Sequence, residues 1–124
     1  MYHSEIEEST NLLKVSYAGR VDAEQTRRCA KECETAVQEL RPGFRLLTDM
    51  SDLEEMDLAC VPDIKRIMDL CDKGGVELVV RVIADPHKDI GLNILSIFHY
   101  RRGVRIVTVE TLEEAVHAIG GQTK

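Results

Sequence analysis

Apolar and polar positions alternate along this chain with two different periods, and each change of period marks a new element. Over residues 12–18, Leu13, Val15 and Tyr17 alternate with Lys14 and Ser16, the two-residue period of a strand with one buried face. A shorter run at 2–8, acidic at Glu5, Glu7 and Glu8, precedes it across the turn formers Ser9-Thr10-Asn11. The two predict a hairpin, closed by Gly19, whose first strand is a charge-protected edge. The period then lengthens. Ala23, Thr26, Ala30, Cys33, Val37 and Leu40 recur at steps of three and four, behind an Asp22 N-cap with Gln25 three residues on. Arg41-Pro42-Gly43 ends that helix.

Residues 44–48 are apolar enough for a third strand, and 49–57 then form an acidic loop carrying Asp49, Asp52, Glu54, Glu55 and Asp57. A second helix is expected over about 58–73. Val61, Ile64, Ile67, Met68 and Cys71 share its buried stripe, Pro62 lies in its first turn, and Gly74-Gly75 stops it. Residues 76–84 are hydrophobic on both faces apart from Glu77 and Arg81, as in a central strand covered on two sides. A third helix at about 86–100 carries Ile90, Leu92, Ile94, Leu95, Ile97 and Phe98 around more than one face. That excess predicts an extended core or a homodimer contact. A fifth strand at 104–109 leads to a last helix, capped by Thr111 and Glu114 and expected to bury Leu112, Ala115, Val116 and Ile119. Residues 120–124 are an expected frayed tail.

The resulting order, β-β-α-β-α-β-α-β-α, predicts an α/β fold: a mixed, mostly parallel five-stranded sheet with about four helices and one antiparallel edge from the first hairpin. At 124 residues the chain is read as one domain, large enough for a conventional core. Its net charge of −6 argues against nucleic acid, whose phosphates require a basic footprint. No apolar run reaches the roughly 18 residues of a membrane span. The opening Met1-Tyr2-His3-Ser4-Glu5 has no secretion-signal pattern, so a cytoplasmic location is the expectation.

Cys29, Cys33, Cys60 and Cys71 contain no C-x-x-C pair and read as small buried thiols of a reduced compartment. Cys60, at a helix start, is placed where a thiol is activated, but nothing in the sequence sets His87 or His99 beside it as a base. No glycine-rich phosphate cradle is present. The central carboxylates have the oxygen chemistry for Mg²⁺, as in a phospho-accepting receiver domain. A receiver also needs an acidic pair after the first strand and a lysine after the last, where this chain has Ala18-Gly19-Arg20 and Glu110-Thr111. Arg101, Arg102 and Arg105 form a small basic cluster, read as a solvated rim. The sequence points to no catalytic group, cofactor or metal.

The order of elements, with Gly19-Arg20-Val21-Asp22-Ala23 ahead of the first helix, resembles the STAS domain. That family includes the bacterial anti-sigma-factor antagonists and the cytosolic tails of sulfate transporters. Leu47-Thr48-Asp49-Met50-Ser51-Asp52-Leu53, running to Met56-Asp57, is similar to the family's D-L-S segment and M-D-S-S-G-L loop. Gly74-Gly75-Val76-Glu77-Leu78 is similar to its G-G strand start, and Thr111-Leu112-Glu113-Glu114-Ala115 to its last helix. The resemblance covers about residues 4–119. It implies a non-enzymatic regulatory module for signal transduction that docks on a kinase-like anti-sigma partner through the loop and helix at 57–64. The residues it singles out are Asp57, Leu58, Ala59, Cys60, Val61 and Ile64.

One departure stands out. Members switched by phosphorylation carry a serine hydroxyl just after the loop aspartate, and here that run is Asp57-Leu58-Ala59-Cys60. Ala59 occupies the serine position, and a one-residue slip in register substitutes Leu58; neither has a hydroxyl. The resemblance therefore implies a domain that has lost the serine switch. Other readings remain open: a STAS subunit docking on a lipid-transport ATPase, or a small-ligand or receiver-like protein that uses the acidic loop or a pocket near Cys60.

Overall fold

The computed structural model describes residues 1–83, Tyr100 and 103–120. Five strands form one sheet whose spatial order equals their order in the chain: β1 (Tyr2–Glu7), β2 (Leu12–Val21), β3 (Arg45–Met56), β4 (Leu78–Val82) and β5 (Arg105–Val109). β1 pairs antiparallel to β2, with Tyr2 opposite Tyr17 and Ile6 opposite Leu13, and the remaining pairs are parallel. The turn between β1 and β2 is one 3-10 turn, Glu8–Thr10, closed by Asn11 at φ 54°. Asparagine tolerates that left-handed conformation at small cost.

Helices α1 (Ala23–Glu39) and α2 (Val61–Lys73) cover one face of the sheet. β2 sends Leu13, Val15 and Tyr17 to this side, where they meet Cys29, Cys33, Phe44, Leu46, Ile64, Ile67 and Val79. Helix α3 (Leu112–Gly120) covers the opposite face over β3, β4 and β5, packing Ala115 and Ile119 on Leu47, Leu78, Val80 and Val82. Both expected caps form. Asp22 accepts the Gln25 N–H at 3.0 Å, and the Thr111–Glu114 box is reciprocal, each side chain accepting the other's N–H at 3.1 Å. The buried Arg45 guanidinium donates to the carbonyls of Ile119 and Thr10, both at 2.7 Å, and so ties the end of α3 to the first turn of the chain.

The α/β class and the mixed five-stranded sheet agree with the expectation, and three helices lie among the described residues. The expected helix at 86–100 lies outside them apart from Tyr100, as do His87, His99, Arg101, Arg102 and the tail at 121–124. Several boundaries differ. Residues 49–56 are strand rather than loop, because β3 continues to Met56 against the extended end of β2. Gly19 accordingly sits inside β2 instead of closing it. The second helix starts at Val61, after a separate 3-10 turn at Leu58–Cys60. β4 is buried on both faces as expected, but the middle of the sheet is β3. Leu112 and Val116, expected in the core, are 46% and 59% exposed, because α3 leaves the β1–β2 side of its face uncovered.

Candidate functional site

The site is built by two irregularities in the β2–β3 pairing. The register shifts between Ser16 and Ala18, and again between Gly19 and Arg20, so that Ala18 faces Asp52, Gly19 faces Leu53 and Val21 faces Met56. Each shift is a bulge, which adds a residue to one strand and breaks its strict alternation. Gly19 holds φ +64° within this segment, a conformation costly for residues with a Cβ. The bulged β3 points its apolar residues inward at every third position, with Met50 and Leu53 buried and Met56 partly so, while Asp52, Glu54 and Glu55 stay in water. Arg20 reaches Glu55 at 3.8 Å, an exposed pair of small energetic weight.

Past Met56 the chain turns sharply. The Asp57 N–H donates to the Val21 carbonyl at 3.1 Å, anchoring the turn to the end of β2. The Asp57 carboxylate then accepts the Ala59 N–H at 3.0 Å, and its carbonyl accepts the Cys60 N–H at 2.9 Å. Cys60 is fully buried with its thiol 3.5 Å from the Val21 carbonyl, and burial raises its pKa. A thiol kept protonated in the core packs; it does not attack. The first turns of the two neighbouring helices are joined by the Thr26 hydroxyl and the Asp63 carboxylate at 3.3 Å. Leu58 is held outward on this frame, 74% exposed. It stands beside an open cleft of about 560 Å³ lined by Arg20, Val21, Asp22, Glu55, Met56, Asp57 and Leu58.

Of the residues singled out by the sequence, Asp57, Leu58 and Ala59 are at the surface and Val61 is half-buried beside them. Cys60 and Ile64 are core, 0% and 6% exposed, so they support the turn from below. The acidic residues do not converge. Asp49 accepts the Ser51 hydroxyl at 2.6 Å and lines a separate groove of about 230 Å³ with Lys14, Leu112 and Val116, while Asp57 lines the cleft. Among the described residues no cluster of His, Cys, Asp or Glu is arranged to hold a metal ion, and no helix is long and apolar enough to cross a membrane. Arg20, Val21, Asp22 and Met56 were not expected at the site. The usable signal was the spacing Met50, Leu53, Met56, which a plain loop does not need.

No protein-family model matches the chain, and no curated protein sequence matches it. Solved structures do. An uncharacterised protein of the DUF3478 family with a SpoIIAA-like fold, from Shewanella loihica PV-4, matches with a TM-score of 0.73 at 16% identity, over 95% of this chain and 93% of that one. The anti-sigma factor antagonist SpoIIAA in its unphosphorylated form matches with a TM-score of 0.65 at 16% identity, over 98% and 99%. An anti-sigma factor antagonist from Mycobacterium paratuberculosis matches at 0.62 and 18% identity, over 96% and 94%. The chain has the STAS fold.

Proposed function

We propose that this chain is a non-enzymatic regulatory module of the anti-sigma-factor-antagonist kind, docking on a protein partner through the turn at 57–61 and lacking the serine switch. The observation that carries this reading is Leu58. A leucine 74% exposed is held out by a capped turn, beside a cleft with Val21 and Met56 in its walls and charged residues around them. Apolar centre and polar rim is the anatomy of a protein interface. The fold supports the class of function, since two of its structural neighbours are anti-sigma factor antagonists. The buried, protonated Cys60 supports a non-enzymatic role.

SpoIIAA is known in a phosphorylated as well as an unphosphorylated form. In this chain the position that the family resemblance assigns to the switch serine is Ala59, exposed beside the Asp57 cap and without a hydroxyl. The nearby Ser51 hydroxyl lies within β3 and is bonded to Asp49. The module then stays in one state at this position, and its partner is an anti-sigma kinase-like protein or an ATPase subunit. A photo-crosslinking residue placed at 58 tests the docking face. It should trap one abundant protein that the same residue at 116 does not; equal trapping from both positions contradicts the assignment.

A further inference from the structure

The outer edge of β1 is a second surface, apart from the docking turn. β1 ends the sheet, and its only strand partner among the described residues is β2. The Met1 nitrogen donates to the Ala18 carbonyl at 2.9 Å, and the Ala18 N–H donates back to the Met1 carbonyl at 2.8 Å. Met1 and Ala18 are thus a hydrogen-bonded pair, and such pairs alternate along an antiparallel ladder. His3, Glu5 and Glu7 therefore turn their backbone groups to β2, while Tyr2, Ser4 and Ile6 turn theirs outward. We propose that this edge pairs with the same edge of a second copy, antiparallel about a two-fold axis at Ser4, so that the two sheets become one.

The edge is self-complementary in that register. Ser4 meets Ser4, and Tyr2 of each copy meets Ile6 of the other, so every outward-facing residue finds an outward-facing partner. The ladder gains about six hydrogen bonds. Tyr2 and Ile6 are half-buried on the α1 side, where both pack on the core, and an aromatic side chain opposite a β-branched one is a favourable cross-strand pair. An open groove of about 490 Å³ runs between this edge and α1, with Ile6, Thr35 and Ala36 in its walls. A second copy on the edge brings its Tyr2 to the mouth of that groove. On the other face His3 of one copy stands opposite Glu5 of the other, at a site where Cα atoms approach to about 4.5 Å. Within one copy His3 and Glu5 already bond at 2.9 Å, so the dimer alternates imidazole and carboxylate around the axis.

Charge selects this register over its neighbours. Outward groups meet outward groups only in registers that differ by two residues. One such step sets Glu5 against Glu5, and the next sets Glu5 against Glu7, and like charges directly opposite are destabilising. The step the other way sets His3 against His3 and parts Tyr2 from Ile6. The acidic residues that shield the edge from other pairings admit this one.

Sedimentation of the wild-type chain at rising concentration, up to about millimolar, should show a reversible shift from 14.0 kDa toward twice that mass. A monomer throughout would overturn the proposal. Two variants then locate the contact. Ser4→Pro removes the outward N–H on the axis and leaves the β1–β2 ladder its bonds, the placement in which an edge strand tolerates proline. It should raise the dimer dissociation constant roughly tenfold or more. Ser4→Cys places two thiols across the axis at a Cα separation of about 5.5 Å, within disulfide range. The four native cysteines are enclosed, so mild oxidation should join the introduced thiols into a covalent dimer. Glu8→Cys, at an exposed position more than about 20 Å from its copy, should not crosslink. A folded Ser4→Pro that associates as tightly as the wild type, or a Ser4→Cys that crosslinks no better than Glu8→Cys, would overturn the proposal. Should Ser4→Pro fail to fold, the wild-type mass and the thiol comparison still decide.

Discussion

The Asp57 carboxylate accepts the N–H of Ala59 at 3.0 Å, so the residue that caps the turn holds directly the position where the resemblance expects a serine. Ala59 is exposed, and a hydroxyl added there meets solvent. Incubation with ATP and an anti-sigma kinase should leave the wild-type mass unchanged throughout residues 49–61. Ala59→Ser should fold normally and gain one phosphate if the turn has kept the acceptor geometry. A full phosphate on the unmodified chain, mapped to Thr48 or Ser51, would show that the switch has moved rather than vanished.

Arg45 is a buried cation whose partners are two carbonyls far apart in the chain, Ile119 and Thr10. Arg45→Met leaves both carbonyls without their charged donor. Bonds to a charged group are worth about 1.5–3 kcal/mol, so we expect the variant to lose about 3 kcal/mol in a urea titration. Hydrogen exchange should speed up in α3 before α1. Uniform acceleration would show that the link does not hold α3 in particular.

Glu32 accepts hydrogen bonds from Ser4 and Tyr2, both at 2.6 Å, which pin the edge strand to α1. The bonds, Ser4's the larger, lower the Glu32 pKa below 4.5 in the folded chain. That contribution to stability is present above pH 4.5 and is lost as pH falls through the folded value. The bond to Glu32, with burial second, raises Tyr2 from 10.0 to about 12. Its contribution is present below pH 10 and is lost as pH rises toward 12. Relative to wild type, Glu32→Gln should flatten the acid limb of stability, and Tyr2→Phe the alkaline one. Parallel curves for wild type and variants would contradict the pairing.

Two adjacent positions on α3 should respond differently. Val116 is 59% exposed, so Val116→Lys should change stability by no more than about 0.5 kcal/mol. Ala115 is fully enclosed against β4, and Ala115→Leu should cost about 1–3 kcal/mol by overpacking. Thermal melts of the two variants distinguish this packing from one in which the whole apolar stripe is buried.

The order of the described elements was legible because it rests on local periods: two in β2, three and four in α1 and α2, and caps of one or two residues at Asp22 and Thr111. The length of β3 was not. Two bulges move its inward residues to Met50, Leu53 and Met56, and the charges at Asp52, Glu54 and Glu55 then look like loop. Leu112 and Val116 failed for another reason. Their stripe is real, but how far a neighbour covers it depends on where α3 lies across the sheet, which no local period encodes. The site divided the same way. Asp57, Leu58 and Ala59 form one contiguous segment visible by resemblance, whereas Arg20, Val21 and Asp22 join it only through the β2–β3 register.

The most direct measurement is the affinity of the crosslinked partner, once purified, for the wild-type chain and for Leu58→Asp, by titration calorimetry. Leu58 touches solvent in the free chain, so the substitution should leave the thermal melt unchanged. A buried contact of this kind is worth about 2 kcal/mol or more, and binding should weaken roughly thirtyfold. A folded Leu58→Asp that binds the partner as tightly as the wild type would contradict docking through this turn.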